Sequence, residues 1–207
     1  MGLSKLTVWS LNVNGLNDDT AAVDGGLGKR PTLLHMFKNN SAPYKLPDIV
    51  CIQESHLDKE GLNTLKREWP GFASGTSTSS SSLGCCTLLH PKFNPEVVKE
   101  INDKDGRFNL LILKLNEELF SIFNFYAPNC QGQQKKDFFT DLLTLALKLP
   151  NVVVCGDLNC IINPTLDNSK KDPNYNTSGR REWLQKMSAS HVDAHRVRHP
   201  NGGGGYS

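Results

Sequence analysis

Three apolar runs in this sequence end in the same kind of residue. They lead into Asn12-Val13-Asn14-Gly15, Gln53-Glu54-Ser55-His56 and Gly156-Asp157-Leu158-Asn159. In extended backbone, side chains two residues apart share a face. The spacing therefore lets Asp157 and Asn159 look into one site and lets Asn12 pair with Asn14. Gly156 permits a sharp turn or a close approach just before Asp157. Carboxylates and amides are hard oxygen ligands, suited to Mg²⁺ or, as an alternative, Mn²⁺. Such an ion polarises a phosphoryl oxygen while a neighbouring carboxylate orients or deprotonates a water. Taken singly, each cluster is also ordinary turn chemistry, with Asx side chains bonding local backbone. A glutamate after a strand is commonly just solvated. Their joint occurrence at three strand ends carries the catalytic reading.

Other residues could support phosphate chemistry. Tyr126 follows an apolar run and has a hydroxyl to offer a phosphate, although a half-buried tyrosine with a satisfied hydroxyl is the plainer alternative. Arg107 follows Gly106, His56 stands two residues after Glu54, and Asn129 closes the break Ala127-Pro128-Asn129. The pairs Lys135-Lys136, Lys170-Lys171 and Arg180-Arg181, with Arg196 and Arg198, could grip a phosphate backbone or simply face solvent.

The elements that must place these groups are readable from period and punctuation. Strands are expected at Leu6–Val13, Asp48–Gln53, Leu83–Leu89, Gly106–Leu115, Leu119–Tyr126 and Val152–Cys155, each short and apolar or alternating. Helices are expected at Pro31–Lys38, Glu60–Trp69, Lys135–Leu149 and Arg180–Ala189. Asn116-Glu117-Glu118 reads as a hairpin turn, and the serine/threonine run Ser74–Ser82 as a mobile loop. The irregular mixture favours a layered α/β or α+β sandwich.

Composition sets outer limits. The 207 residues carry a net charge of +2, which permits a nucleic-acid partner without demanding one. The six cysteines form no CxxC pair and no Cys/His ligand spacing, which argues against zinc. Cys51 and Cys155 lie inside apolar runs, as reduced core thiols in an intracellular protein do. No apolar stretch reaches membrane-spanning length, and the N-terminus lacks the pattern of a signal peptide.

The ordered set Ser10–Leu16, Cys51–His56, Gly106–Phe108, Asn124–Asn129 and Gly156–Asn159 resembles the endonuclease/exonuclease/phosphatase superfamily. Within it, the chain is similar to the apurinic-type endonuclease domain of LINE-type (non-LTR) retrotransposons, related to exonuclease III. Val192-Asp193-Ala194, Arg196 and His199-Pro200 point the same way. The resemblance implies a four-layer α/β sandwich with two packed β-sheets, and a Mg²⁺-dependent phosphodiesterase that nicks DNA to leave a 3′-hydroxyl. It implies that Asn12 and Glu54 hold the metal region, joined by Asp157 and Asn159. Tyr126 would contact the scissile phosphate, Asp157 would act on the attacking water, and Asn159 would fix that carboxylate and the phosphate. Asn14, His56, Arg107 and Asn129 would support the phosphate.

The family pattern continues with a Ser-x-x-Asp on a strand and a terminal Ser-Asp-His, and neither follows Pro200 in this sequence. His191, His195 and His199 precede the positions of those motifs and are not expected to replace the missing histidine. The expectation is thus one domain over residues 1–207, C-terminally incomplete, with its last strands missing. It would be a monomeric, membrane-free DNA-binding domain, nuclear when acting on DNA, and fused to a reverse transcriptase in an intact element. Two alternatives stay open: a catalytically inactive remnant that binds nucleic acid at most, and a phosphatase or RNA nuclease of the same superfamily.

Overall fold

The computed structural model describes residues 5–16, 28–39, 45–78, 82–167 and 176–200. Lys170, Lys171, the glycine run from Gly202 and the centre of the serine run at 79–81 lie outside the described residues. The chain divides into two compact units, Met1–Tyr126 with Leu149–Asp157, and Ala127–Lys148 with Leu158–Ser207.

The first unit is a two-sheet sandwich. Its strands are β1 (Val8–Asn12), β2 (Ile49–Gln53), β3 (Ala73–Gly75), β4 (Cys85–Leu89), β5 (Glu96–Asn102), β6 (Phe108–Leu115), β7 (Glu118–Tyr126) and β8 (Val152–Asp157). One sheet runs β1-β2-β4-β3 and the other β5-β6-β7-β8. Both are mixed: β1 pairs with β2 and β7 with β8 in parallel, and the remaining pairs are antiparallel.

Strand alternation divides the apolar residues between two layers. From β2, Ile49 and Cys51 meet Leu111, Leu113, Phe120 and Ile122 of the second sheet. Val50 and Ile52 point the other way and pack with Leu34, Phe37, Leu62 and Leu65. Those four belong to helices α1 (Lys29–Lys38) and α2 (Lys59–Glu68), which cover the first sheet. Phe37 and Leu65 are wholly buried, each stabilising the layer by about 2–3 kcal/mol. Asp58 caps α2 by accepting from Gly61 N at 2.7 Å. Arg30 pairs with Glu68 at 2.9 Å and joins the two helices.

Most expected elements are present with shifted ends; α1 begins at Lys29, which leaves Pro31 within the first turn. The hairpin turn is tight, with Asn116 and Glu117 at φ 51° and 66°, a pair of left-handed residues that matches the twist of the strands they join. One expectation is corrected. Ser74 is no loop residue: it lies in β3, paired with Thr87 of β4 and fully buried. Its hydroxyl donates to Glu100 Oε1 at 2.6 Å and accepts from Asn109 Nδ2 at 2.7 Å. A polar residue enters the core when partners wait there. β5 was not expected, because its sequence EVVKEIN is that of a charged, exposed edge strand.

The second unit contains α3 (Gln133–Ala146), α4 (Arg180–Met187) and the short α5 (Ala194–Arg198), the last unforeseen. Phe139 of α3 meets Trp183 of α4 edge to face at 5.4 Å. Arg196 forms an ion pair with Asp167. Both alternatives given for Lys135-Lys136, a phosphate grip and a solvated face, are corrected at Lys135. That side chain is fully buried and its ammonium donates to the Asn159 carbonyl at 2.6 Å.

Gly156 sits in β8 at φ 153°, and a Cβ there would lie 2.1 Å from the Phe125 carbonyl oxygen. Gly156→Ala is expected to destabilise the fold by about 2–4 kcal/mol. Urea unfolding checks this; a midpoint equal to the parent's contradicts the close approach.

Candidate active site

Parallel pairing brings the carboxyl ends of four strands to one level. Asn12 is the register partner of Gln53 in the first sheet, and Tyr126 that of Asp157 in the second. Between them, Asn12 Nδ2 donates to Glu54 Oε1 and to Asp157 Oδ2, both at 2.8 Å. One amide thus ties together two carboxylates from different sheets. Asn12 Oδ1 accepts from Asn14 N at 3.0 Å, an Asx turn that ends β1.

Glu54 reaches this point through its backbone. Regular alternation would turn it away from Gln53, toward the helical layer. Its φ is 51°, a left-handed conformation uncommon for a non-glycine residue, and His56 follows at 54°. The neighbouring chain holds the strained segment in place. Gly15 N donates to Glu54 O at 2.7 Å, Leu16 N to Ser55 O at 2.9 Å, and Ser55 N to Gly84 O at 3.1 Å. A side chain at Gly15 would come within 2.9 Å of His56 Nδ1. Strain of this kind persists only where the surroundings over-determine it, and it gathers at functional sites.

His56 Nε2 stands 3.4 Å from Glu54 Oε2, and the Tyr126 hydroxyl donates to the Glu54 carboxylate. Burial opposes the charge on Glu54. The bonds from Tyr126 and Asn12, with His56 alongside, outweigh it and hold the carboxyl below its ordinary value. Arg107 lies over the Tyr126 ring, 5.5 Å from its centroid.

Asn12, Glu54, His56, Arg107, Tyr126 and Asp157 are therefore gathered in the first unit. Asn14 is exposed there, its carbonyl accepting from Lys29 Nζ at 2.9 Å. The shared-face argument for the i, i+2 pairs is corrected. β1 ends at Asn12 and β8 at Asp157, and Asn14 and Asn159 have φ of 46° and 47°, so strand alternation stops before either. Asn159 lies in the second unit, where its Nδ2 donates to Ala127 O at 2.8 Å. Asn129 is an exposed residue of that unit. Sequence reasoning passed over Asn124, a fully buried amide of β7 bonded to Gln53. The available signal was an amide inside the apolar run LFSIFNFY, where an unpaired one would be costly.

The donor set suits a hard divalent cation, which takes one or two carboxylates and keeps several waters. Glu54 and Asp157 supply two carboxylates within reach of one nitrogen. Among the described residues no group of three or more His, Cys, Asp or Glu could hold a metal, so an ion at these two carboxylates would need amide, water or substrate oxygens to complete its shell. Among them also, no helix is long and apolar enough to cross a membrane.

A carboxylate held below its ordinary value of 4.5 stabilises the fold above that value and loses the contribution as pH falls through its folded-state value. The parent's melting temperature is expected to fall more steeply than that of Glu54→Gln between about pH 5 and pH 3. Parallel melting curves across that range would contradict the bonding described for Glu54.

Known proteins resemble this chain in sequence and in fold. The chain is 26% identical over 155 residues to the transposon TX1 uncharacterized 149 kDa protein of Xenopus laevis, a match that covers 73% of this chain and 12% of that protein. It therefore spans only a small part of that relative's length. An AP endonuclease from Archaeoglobus fulgidus superposes with a TM-score of 0.62 at 19% identity, over 95% of this chain and 76% of the other. A 3′ phosphatase from Neisseria, bound to a product DNA hairpin, gives 0.65 at 16% identity, over 96% and 76%. These structures share the fold: two packed mixed sheets with helices in an α/β arrangement. The family model for endonuclease/exonuclease/phosphatase proteins matches residues 9–203, and the chain belongs to that family.

Proposed function

We propose that this chain is a Mg²⁺-dependent DNA endonuclease of LINE-type retrotransposon origin, nicking a strand to leave a 3′-hydroxyl. The observation that carries the reading is the convergence of Glu54 and Asp157 on the amide of Asn12, with the Tyr126 hydroxyl on Glu54. Similarity to part of a 149 kDa transposon protein supports the origin; a nuclear setting and fusion to a reverse transcriptase belong to the same proposal.

Asn12 and Glu54 would hold the ion, with Asp157 beside them. Bound there, a divalent cation supplies Lewis-acid polarisation of a phosphoryl oxygen; Mn²⁺ could serve in its place. Asp157 orients the water and accepts its proton. The water oxygen forms a bond to phosphorus, the bond from phosphorus to the 3′ oxygen breaks, and the departing 3′ alkoxide takes a proton from solvent to become the hydroxyl. Tyr126 turns its hydroxyl to a phosphate oxygen, while Arg107 over the ring adds positive charge where negative charge develops. Asn12 keeps the two carboxylates apart and pointed inward. Asn14 and His56 support the phosphate from the same unit.

The test is plasmid nicking in Mg²⁺ and in EDTA, with Asp157→Ala alongside. The parent should nick only with metal, the variant should be slower by about 10²–10⁴-fold, and the nicks should prime a DNA polymerase directly. Release of inorganic phosphate from 3′-phosphorylated DNA without nicking would instead make the chain a phosphatase. Cleavage of RNA alone would make it an RNA nuclease. A folded chain with no turnover on any of these is the inactive remnant.

A further inference from the structure

Gln53 and Asn124 are buried to within 1% of complete exclusion from solvent, and each adjoins a group of the site. Asn124 stands on the inner face of β7, two residues before Tyr126 and on the same side of the strand. Gln53 ends β2 and is bonded covalently to Glu54. Across the sheets, Gln53 Nε2 donates to Asn124 Oδ1 at 2.6 Å. Asn124 Nδ2 then donates to the carbonyls of Ile52 and Cys86, at 3.1 and 2.9 Å, on neighbouring strands of the first sheet. Ser10 Oγ accepts from Gln53 Nε2 at 3.1 Å and fixes it from the side.

We propose that Gln53 and Asn124 are a positioning pair that fixes the height of β7 against β2, and so holds the Tyr126 hydroxyl at the Glu54 carboxylate. Apolar side chains in the same interior exclude water but have no directional contact to resist sliding of one sheet over the other. Three hydrogen bonds in a dry layer do, because any slip leaves a buried amide or carbonyl unpaired. The pair sits one rung below the Tyr126–Glu54 contact, so a slip there is passed on to the site. The effect on turnover rests on the nuclease reading above; the effect on Tyr126 does not.

The test replaces Gln53 by Met, which keeps the length of the side chain and removes its donors. Trp69→Phe is the control, since it deletes another buried bond, Trp69 Nε1 to Leu89 O at 2.8 Å, at the opposite end of the first sheet. Both proteins carry 3-fluorotyrosine, and Tyr126→Phe identifies the Tyr126 signal among the four tyrosines. In metal-free protein the Tyr126 fluorine resonance should move in Gln53→Met and stay in place in Trp69→Phe. In the nicking assay kcat should fall about 10²-fold with KM held within about twofold, whereas the control should keep its kcat. Should Gln53→Met not fold, Ser10→Ala, which loosens Gln53 alone, is read in the same way on a smaller scale. A Tyr126 resonance unmoved in the folded Gln53 variant, or moved equally in the control, overturns the proposal. A moved resonance in a chain whose parent does not nick sustains the positioning pair and removes the nuclease reading.

Discussion

Two carboxylates brought close together in a half-buried cleft repel each other unless something positive or proton-donating stands between them. Here that constraint is met by one amide group. Asn12 gives a bond to Glu54 and a bond to Asp157, and its oxygen is engaged by the turn that ends β1. Everything else in the first unit follows from delivering three strands to that amide. β1 and β2 must run in parallel so that Asn12 and Glu54 leave the same edge. β8 must lie beside β7 so that Asp157 arrives with Tyr126. The two sheets must face each other at a fixed height. The amide satisfies both acids at once without bringing a charge of its own.

Much of this was legible beforehand where the physics is local. β2 was readable because it is apolar on both faces, one toward the other sheet and one toward the helices. The acids and amides at the strand ends were readable as a group because such residues after apolar runs are few. The failures share a cause, in that tertiary contacts reversed a local preference. Ser74 looked like loop because its partners, Glu100 and Asn109, are distant in sequence. Lys135 looked solvated because nothing in its helix shows that its ammonium finds the Asn159 carbonyl. The i, i+2 argument missed because Asn14 and Asn159 leave the extended region at the very place where the strands stop.

Glu54 shows the limit most clearly. Its identity was readable, but its direction was not. A left-handed glutamate is a poor local choice, and only the bonds from Gly15, Leu16 and Ser55 around it make the choice stable. The segment is held by its surroundings, and a sequence read one window at a time does not contain those surroundings.

The bond from Asn12 to Asp157 spans 145 positions of the chain. Contacts so far apart form late, after the loop-closure entropy between them has been met by folding of the intervening strands. During synthesis the amide and the first acid emerge early, and the second acid emerges only after both sheets have most of their strands. A growing chain, or one whose sheets have come apart, therefore has no assembled cleft. In a family that spans endonucleases, exonucleases and phosphatases, topology itself ties the gathering of these residues to the folded molecule.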